Sequence, residues 1–316
     1  MHIVLLEPLD VSEAQLNVYA DRLRARGHTF AAFEKTQNLQ QLQEEVKDAD
    51  VILTANMPLP WEAIRHADKL KYIDVAFTGT DHIPVRQASE KGIQVSNCSG
   101  YATDSVAELC IGLMIDLLRS IPQTSRSCRQ AGTKNGWLAR LLKGKTVGFA
   151  GAGHIASSTA RLAKAFGART IGYRRHPQPD DAFDIQAVDL EDLLTQSDIV
   201  SLHTPLTEAT RHMISRRELQ MMKPDALLIN TARGPVVDTE ALVEALEQGT
   251  IAGAALDVFD TEPPLDPDMP LLSAPNLLVT PHIGYYTRES MDQRAQILFD
   301  NLDKWLSGTW QNQVRP

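Results

Sequence analysis

A glycine-containing segment near the middle of the chain constrains the fold more than any other feature. Residues 146–150 form a short apolar run, residues 151–153 read Gly-Ala-Gly, and residues 155–166 carry apolar side chains at helical spacing. A second apolar run follows at residues 170–173. Strand, glycine turn, helix and strand in this order predict the start of a nucleotide-binding βαβ unit.

The small residues of this turn indicate what it binds. Gly151 permits a tight turn, and Gly153, which lacks a Cβ, lets a pyrophosphate approach the backbone at the positive end of the helix. His154 and Ile155 begin that helix, and Ala156 takes the third small position. We therefore expect a bound dinucleotide that contacts this turn.

The end of the second strand indicates which dinucleotide is bound. An NAD site has Asp or Glu about 20 residues after the glycines, but this chain has Arg174, Arg175 and His176 there. A carboxylate would repel a 2′-phosphate, whereas guanidinium groups bind it bidentately, so NADP(H) is the preferred prediction. Two alternatives stay open. In the first, the arginines only form a solvated turn. In the second, Asp180 or Asp181 folds back and serves as the acid, and NAD(H) is then possible.

The composition limits the class of partner. The chain has 316 residues, 43% hydrophobic and 22% charged, which is typical of a globular protein long enough for two domains. Its formal net charge of −9 argues against a nucleic acid or an anionic membrane as a partner. The most apolar helical stretch, residues 105–118, is interrupted by Glu108 and Asp116, so we expect no membrane span.

The amino terminus and the cysteines bear on location. Residues 1–10 have no cationic region and reach Glu7 early, so we expect a first strand and not a signal peptide. Cys98, Cys110 and Cys128 lack the spacing of a metal-ligand set, and no metal site is predicted. Scattered cysteines of this kind indicate a reducing compartment, so we expect a cytoplasmic protein.

Two series of alternating short strands and helices organise the chain. One occupies the first hundred residues and the other follows from residue 146, which predicts two parallel sheets. A last helix, at about residues 289–306, is expected to return to the first sheet. The predicted fold class is α/β, with two Rossmann-like or flavodoxin-like doubly wound parallel-sheet domains. A nucleotide domain (100–287) is inserted in a discontinuous substrate domain (1–99 plus 288–316).

A long helix and an irregular stretch join the two series. Amphipathic spacing predicts a helix over residues 103–119, and residues 122–142 contain glycines and few regular patterns. Because long loops usually serve binding or assembly, helix and arm (about 103–142) are expected to support a homodimer, with Trp137 packed in it. An ordinary loop is the alternative.

Four strands of the second series lead directly into polar or special residues. In an open parallel sheet, ligands bind beyond the carboxyl ends of the strands, so these residues should converge on one crevice. They are His203-Thr204-Pro205, Asn230-Thr231-Ala232-Arg233, Asp257 and Thr280-Pro281-His282.

Three of the charged residues suit hydride transfer to or from a 2-hydroxy acid. That reaction needs a cation for the carboxylate, an acid and base for the hydroxyl proton, and a group that tunes the base. Arg233, His282 and Glu262 could fill these roles. Taken singly, each has an ordinary alternative as a surface arginine, a hydrogen-bonded histidine or a turn acid.

The segments around these residues resemble the D-isomer-specific 2-hydroxyacid dehydrogenases. The matching segments are NTARGPVVD (230–238), ALDVFDTEPP (255–264) and TPHIGYYT (280–287). Upstream, FTGTDHIPV (77–85), GIQVSN (92–97) and the segment 100–121 are also similar to that family. The family includes glyoxylate and hydroxypyruvate reductases and glycerate dehydrogenases, and the resemblance spans nearly the whole chain.

The resemblance implies a role for each residue. His282 would protonate the substrate carbonyl oxygen, Glu262 would hydrogen-bond the other imidazole nitrogen, and Arg233 would bind the substrate carboxylate. Backbone amides around Thr78, Gly79 and Thr80 would complete the carboxylate site. Asp257 would hold the nicotinamide carboxamide. Further cofactor contacts are implied for Thr103, Gly151, Gly153, His154, Ile155, His203, Thr204, Pro205, Thr231, Ala232, His282 and Gly284. The family often has Arg where this chain has His154, which weakens one pyrophosphate contact.

These observations predict an NADP(H)-linked reductase of a small 2-oxo acid, with glyoxylate or hydroxypyruvate as the leading substrates. One alternative is a D-lactate or larger D-2-hydroxyacid dehydrogenase that uses NAD. Another is a nucleotide-sensing binding protein, because relatives with this fold act as corepressors. The joint presence of Arg233, Glu262 and His282 favours the enzyme.

Overall fold

Two compact units make up the computed structural model of the chain, which describes residues 1–175 and 185–316. One unit contains residues 1–102 and 287–316, and the other contains residues 103–286. The predictions for His176, Asp180 and Asp181 lie outside the described residues. The second unit begins where a long helix begins, at Thr103.

The first unit is built on a five-stranded parallel sheet of order β2-β1-β3-β4-β5. Its short apolar strands alternate with helices, as the sequence pattern predicts. The strands are β1 His2–Leu5, β2 Thr29–Ala32, β3 Val51–Thr54, β4 Tyr72–Val75 and β5 Gln94–Asn97. The helices are α1 Glu13–Ala25, α2 Leu39–Val46, α3 Trp61–Ile64 and α4 Val85–Glu90. Side chains cap α1 and α2, because Ser12 and Asn38 accept hydrogen bonds from backbone amides of the first turn.

The second unit is built on a seven-stranded parallel sheet of order β12-β11-β10-β9-β6-β7-β8. The strands are β6 Thr146–Ala150, β7 Arg169–Tyr173, β8 Gln186–Ala187, β9 Ile199–Leu202, β10 Leu227–Asn230, β11 Gly253–Leu256 and β12 Leu277–Val279. The helices are α5 Thr103–Arg119, α6 Ile121–Arg129, α7 His154–Ala165, α8 Leu190–Gln196, α9 Arg216–Met221 and α10 Thr239–Glu247. The chain leaves β6 toward β7 and later returns to β9 on the other side of β6. This reversal is the switch point at which doubly wound sheets bind ligands.

The final helix, α11 Arg288–Leu306, belongs to the first unit. Its Asn301 is fully buried and donates from Nδ2 to Oδ1 of Asp74 on β4 at 3.1 Å and to the Asn97 carbonyl at 3.0 Å. The Asn301 Oδ1 accepts from side chains of the carboxyl-terminal segment. Burial raises the pKa of Asp74 to about 8.

The prediction that residues 122–142 are irregular is wrong at the start of that range. Helix α6 covers Ile121–Arg129, and Pro122 lies in its first turn. A proline there costs no hydrogen bond, because the first amides of a helix have no intrahelical acceptor, so it begins a helix instead of breaking one. No helix in the described ranges is long and apolar enough to cross a bilayer.

Candidate active site

The glycine turn between β6 and α7 packs closely against the end of β9. Gly151 has a φ of +98°, and its amide donates to the Tyr173 carbonyl at 2.9 Å. A Cβ at Gly151 would lie 2.6 Å from the His203 carbonyl oxygen. Only glycine therefore fits the conformation and the space, which confirms a tight turn here.

The amino-terminal end of α7 is open. Gly153 caps the helix, and a Cβ built on it would meet nothing within 4 Å. His154 and Ile155 are the first two residues of α7, and His154 is exposed. The amino-terminal end of a helix carries partial positive charge, so an anionic group would be stabilised in the space beside Gly153.

A cavity of about 720 Å³ begins at this turn. It brings together seven of the fifteen residues that the sequence assigns to the cofactor. They are Gly151, Gly153, Arg174, Arg175, His203, Thr204 and Pro205, with Ala152 and Tyr173 between them. The Arg174 Nη2 donates to the Ala152 carbonyl, so this guanidinium closes the wall beside the glycines.

Sequence reasoning missed part of the cavity wall. Leu190, Thr207, Ala209, Thr210 and Met213 also line it. Four of these residues follow β9 within a few positions of Pro205, so their place in the sequence could have indicated them. Leu190 carries no such signal, because it comes from the start of another helix, α8.

The wall formed by His203 and Thr204 is suited to a neutral ligand group. The His203 Nε2 lies 2.9 Å from Ser201 Oγ, and burial lowers the pKa of His203 well below its usual range, so the ring is uncharged at neutral pH. Thr204 Oγ1 is buried and has no hydrogen-bond partner among the described residues. A buried hydroxyl of this kind is unfavourable unless something bonds to it, so the cavity fits a ligand with polar groups.

A histidine and a carboxylate meet beyond the ends of β11 and β12. The His282 Nδ1 lies 2.9 Å from Oε2 and 3.0 Å from Oε1 of Glu262. The His282 side chain is 12% exposed, whereas that of Glu262 is 63% exposed. Glu262 therefore engages Nδ1, and Nε2 is the other nitrogen of the ring. A histidine general acid has this arrangement when a carboxylate bonds one nitrogen and the other transfers the proton.

Asp257, at the end of β11, holds the loop that contains His282. Its Oδ1 accepts from Thr280 Oγ1 at 2.5 Å and from the Ile283 amide at 2.9 Å, and its Oδ2 accepts from the Gly284 amide at 2.8 Å. These contacts flank His282. Its backbone φ is +56°, a value that residues other than glycine rarely adopt. Burial raises the pKa of Asp257, while the three donors oppose that rise.

Arg233 lies on a compact loop after β10. Asn230 fixes this loop, because its Oδ1 accepts from the Ala232 amide at 3.0 Å and its Nδ2 donates to the Arg233 carbonyl at 2.9 Å. The Arg233 Nη1 donates to the Ala232 carbonyl at 2.7 Å. A Cβ at Gly234 would lie 2.0 Å from Phe259, so the Arg233 loop packs directly on the segment that leads to Glu262.

The remaining predicted residues occupy defined positions. Thr231 Oγ1 lies 3.1 Å from the buried Cys110 Sγ, and a Cβ at Gly284 would lie 2.9 Å from Asp257 Oδ2, so a larger residue there would displace this carboxylate. Thr103 is the first residue of α5.

In the first unit, Thr78, Gly79 and Thr80 follow β4. The Thr78 carbonyl accepts from Asn97 Nδ2, and the Thr80 carbonyl accepts from the Ile83 amide. In the described parts of the chain, no three His, Cys, Asp or Glu side chains gather as metal ligands.

Comparison with known proteins places these features in a family. The family model for the D-isomer specific 2-hydroxyacid dehydrogenase, NAD binding domain, matches residues 111–284. A glyoxylate reductase of Thermococcus litoralis is 40% identical over 278 residues, which cover 84% of this chain and 83% of the relative. A hydroxypyruvate reductase of Thermotoga maritima is 38% identical over 303 residues, 95% of this chain and 96% of the relative. The solved structure of an acyclic imino acid reductase, Bsp5, in complex with NADPH and D-Arg has a TM-score of 0.91 at 29% identity, over 99% of this chain and 100% of that one.

The fold, the glycine turn and these matches define an oxidoreductase that depends on a nicotinamide dinucleotide. The two parallel-sheet domains predicted from the sequence are confirmed. The chain belongs to the D-isomer specific 2-hydroxyacid dehydrogenase family, as its signature segments indicate.

Proposed function

We propose that this enzyme reduces a small 2-oxo acid, glyoxylate or hydroxypyruvate, with NADPH as the preferred hydride donor. The observation that carries the cofactor assignment is the wall of the nucleotide cavity. Arg174 and Arg175 line it beside the glycine turn, and its described lining residues include no carboxylate. A 2′-phosphate would gain two cations there and meet no like charge among the described lining residues.

Similarity to named relatives supports the substrate. The glyoxylate and hydroxypyruvate reductases described above align with this chain over most of their length. Both proposed substrates are 2-oxo acids with at most one further carbon that bears a hydroxyl, so a single site can accept both, since small differences in size discriminate weakly.

The residues of the second unit divide the work between cofactor and substrate. When bound, the nicotinamide supplies or accepts the hydride. The open turn at Gly151 and Gly153 would hold the pyrophosphate, with His203, Thr204 and Pro205 beside it. Asp257 would bond the carboxamide with the acceptor capacity that its three loop contacts leave. Thr103, His154, Ile155, Thr231, Ala232 and Gly284 stay predicted cofactor contacts.

The proton and the carboxylate are handled by the charged trio. His282 would donate its Nε2 proton to the carbonyl oxygen, because Nδ1 is engaged by Glu262. Arg233 would bind the substrate carboxylate and polarise the carbonyl. The contribution of backbone amides at Thr78, Gly79 and Thr80 stays a prediction.

Steady-state kinetics with both cofactors test this proposal. We expect NADPH oxidation with glyoxylate and hydroxypyruvate, and a KM for NADPH well below that for NADH. Replacing Arg174 and Arg175 together by Ala should raise the KM for NADPH about 10- to 100-fold and leave that for NADH nearly unchanged, since only NADPH carries the 2′-phosphate. Arg211→Ala, on the loop after β9, is a matched surface control. A clear preference of the unmodified enzyme for NADH would contradict the cofactor assignment.

The same panel separates the alternatives. Turnover of pyruvate or longer 2-oxo acids with NADH in place of glyoxylate would favour the D-lactate-type dehydrogenase, and no turnover across the panel would favour a nucleotide-sensing binding protein. The likeness to the imino acid reductase makes 2-imino acids a second candidate. Adding ammonium to each 2-oxo acid and measuring amino acid formation tests that activity.

The assembly and location are part of the proposal. Leu138 and Leu141 are exposed apolar residues of the arm, and Trp137 beside them is 38% exposed. Covering these side chains in a homodimer would remove apolar surface from water. Sedimentation of the purified protein measures whether the dimer forms. Cys98, Cys110 and Cys128 are free thiols, which suits a cytoplasmic enzyme.

A further inference from the structure

An aromatic side chain packs against the proposed proton donor. The ring of Tyr285 lies 5.2 Å from the imidazole of His282, centroid to centroid, with the planes at 86°. Tyr285 is half-buried. The ring of Tyr286 stands 6.0 Å from that of Tyr285 and is more exposed, at 54%. One tyrosine of the pair is therefore in ring contact with His282, and the other extends the contact outward.

The hydrogen bonds to Glu262 act at one nitrogen of the imidazole. Both carboxylate oxygens of Glu262 lie within 3.0 Å of the same nitrogen, Nδ1, and this carboxylate is largely exposed. Bonds at one nitrogen direct the ring but restrain its tilt only weakly. A perpendicular aromatic neighbour resists tilt, because the edge-to-face arrangement is favoured over other orientations.

The backbone of Tyr285 is itself held in place. Asp257 accepts hydrogen bonds from the amides of Ile283 and Gly284, the two residues between His282 and Tyr285. The aromatic ring is therefore carried by the same fixed loop as the imidazole, and its distance from His282 does not depend on a mobile segment.

We infer that Tyr285 is a positioning residue that holds the imidazole of His282 in the orientation from which Nε2 transfers its proton. The inference rests on the proposed role of His282 as the proton donor. The ring makes the contact that carries this inference, so phenylalanine, which keeps the ring, should replace Tyr285 and an aliphatic side chain should not. A misoriented donor slows proton transfer without loss of cofactor binding.

Kinetics of Tyr285→Leu and Tyr285→Phe, with Tyr286→Leu as the matched control, test this inference. With glyoxylate and NADPH we expect Tyr285→Leu to lower kcat about 5- to 30-fold, with the NADPH dissociation constant changed less than about twofold. The solvent deuterium isotope effect on kcat should rise in Tyr285→Leu, because proton transfer then limits the rate more. Tyr285→Phe and Tyr286→Leu should stay within about twofold of the unmodified enzyme.

A double-mutant cycle with His282→Ala separates positioning from a general structural role. If Tyr285 acts only through His282, Tyr285→Leu should have no further effect on the residual rate of His282→Ala, whereas structural damage would lower that rate as well. The inference fails if Tyr285→Phe is as slow as Tyr285→Leu, or if Tyr285→Leu keeps kcat and raises only the KM for the 2-oxo acid. If His282→Ala itself keeps near-normal kcat, the proposed mechanism fails, and that result is read independently of Tyr285.

Discussion

Two buried aspartates, one in each unit, show how the surroundings of a carboxyl group determine its role. Asp74 lies inside strand β4 of the first sheet, where its Oδ1 accepts from Asn301 and its Oδ2 has no hydrogen-bond partner among the described residues. Asp257 lies at a strand end of the second sheet, and three donors from one loop reach its two oxygens. Burial raises the pKa of both carboxyl groups, and hydrogen bonds oppose the rise at both, but only at Asp257 do the donors come from a single loop.

The difference separates stability from catalysis. A carboxyl without enough donors is most stable when protonated, so Asp74 belongs to the packed interior of its sheet. A carboxylate that collects backbone amides orders the chain that carries them, so Asp257 fixes the loop that contains His282. Asp257 also follows the last residue of its strand, at the edge where parallel sheets bind ligands, whereas Asp74 lies within β4.

The largest expected effect lies at the residue whose loop Asp257 orders. His282→Ala should lower kcat for glyoxylate reduction by about two to four orders of magnitude, the usual effect of losing a proton-transfer group. Cofactor affinity and melting temperature should change little. Steady-state kinetics and a thermal melt measure both, and a variant with near-normal kcat would contradict the role of His282.

A smaller loss is expected from Asp257→Asn, which tests whether the carboxylate orders the loop. The amide side chain keeps one acceptor oxygen. Its NH₂ group would face either the Ile283 amide or the Gly284 amide, so at least one loop hydrogen bond is lost. We expect kcat to fall about 10- to 100-fold. Glu262→Gln, which changes the carboxylate on the other side of His282, is the comparison. Unchanged kcat in Asp257→Asn would show that the loop needs no carboxylate.

The smallest effect on activity, but a clear effect on stability, is expected from Asp74→Asn. In the unfolded chain this group ionises near pH 3.8, whereas in the folded protein its pKa is about 8. Between these values the unfolded state has lost the proton and the folded state keeps it. The contribution of Asp74 to stability is therefore fully present below pH 3.8 and is lost as the pH rises to about 8, with a slope of at most about 1.4 kcal/mol per pH unit.

Denaturant unfolding between pH 5 and pH 8 measures this slope. Asn at position 74 keeps an acceptor for Asn301 and does not titrate, so the stability of Asp74→Asn relative to the unmodified protein should increase with pH. The kcat should remain within about twofold. A difference in unfolding free energy that is constant over this range would show that Asp74 is ionised in the folded protein.

Local patterns in the sequence predicted the elements that have strong and regular signals. The helix over residues 103–119 and the strand over residues 146–150 agree with α5 and β6 as observed. The segment 122–142 was misinterpreted because Pro122 breaks a helix interior but is well placed in a first turn. A local pattern does not say which of these positions a proline will occupy.

Spatial relations between distant residues depended on the fold. Spacing and residue type placed His282, Glu262 and Arg233 near strand ends, and only the family resemblance paired His282 with Glu262, which the structure places in direct contact. Two contacts had no signal in the sequence: the hydrogen bonds from the loop around His282 to Asp257, and the ring contact of Tyr285 with His282. Each depends on the path of the chain after the strand.

The sequence by itself determined the fold class, the dinucleotide turn and the family, because periodicity, glycine placement and signature segments are properties of neighbouring residues. The tertiary structure decided which residues meet: Arg174 and Arg175 in one cavity with Gly151, and the imidazole of His282 between a carboxylate and an aromatic ring. Strand packing joins residues that are far apart along the chain, such as Glu262 and His282, and the path of the loop after β12 brings Tyr285 against His282.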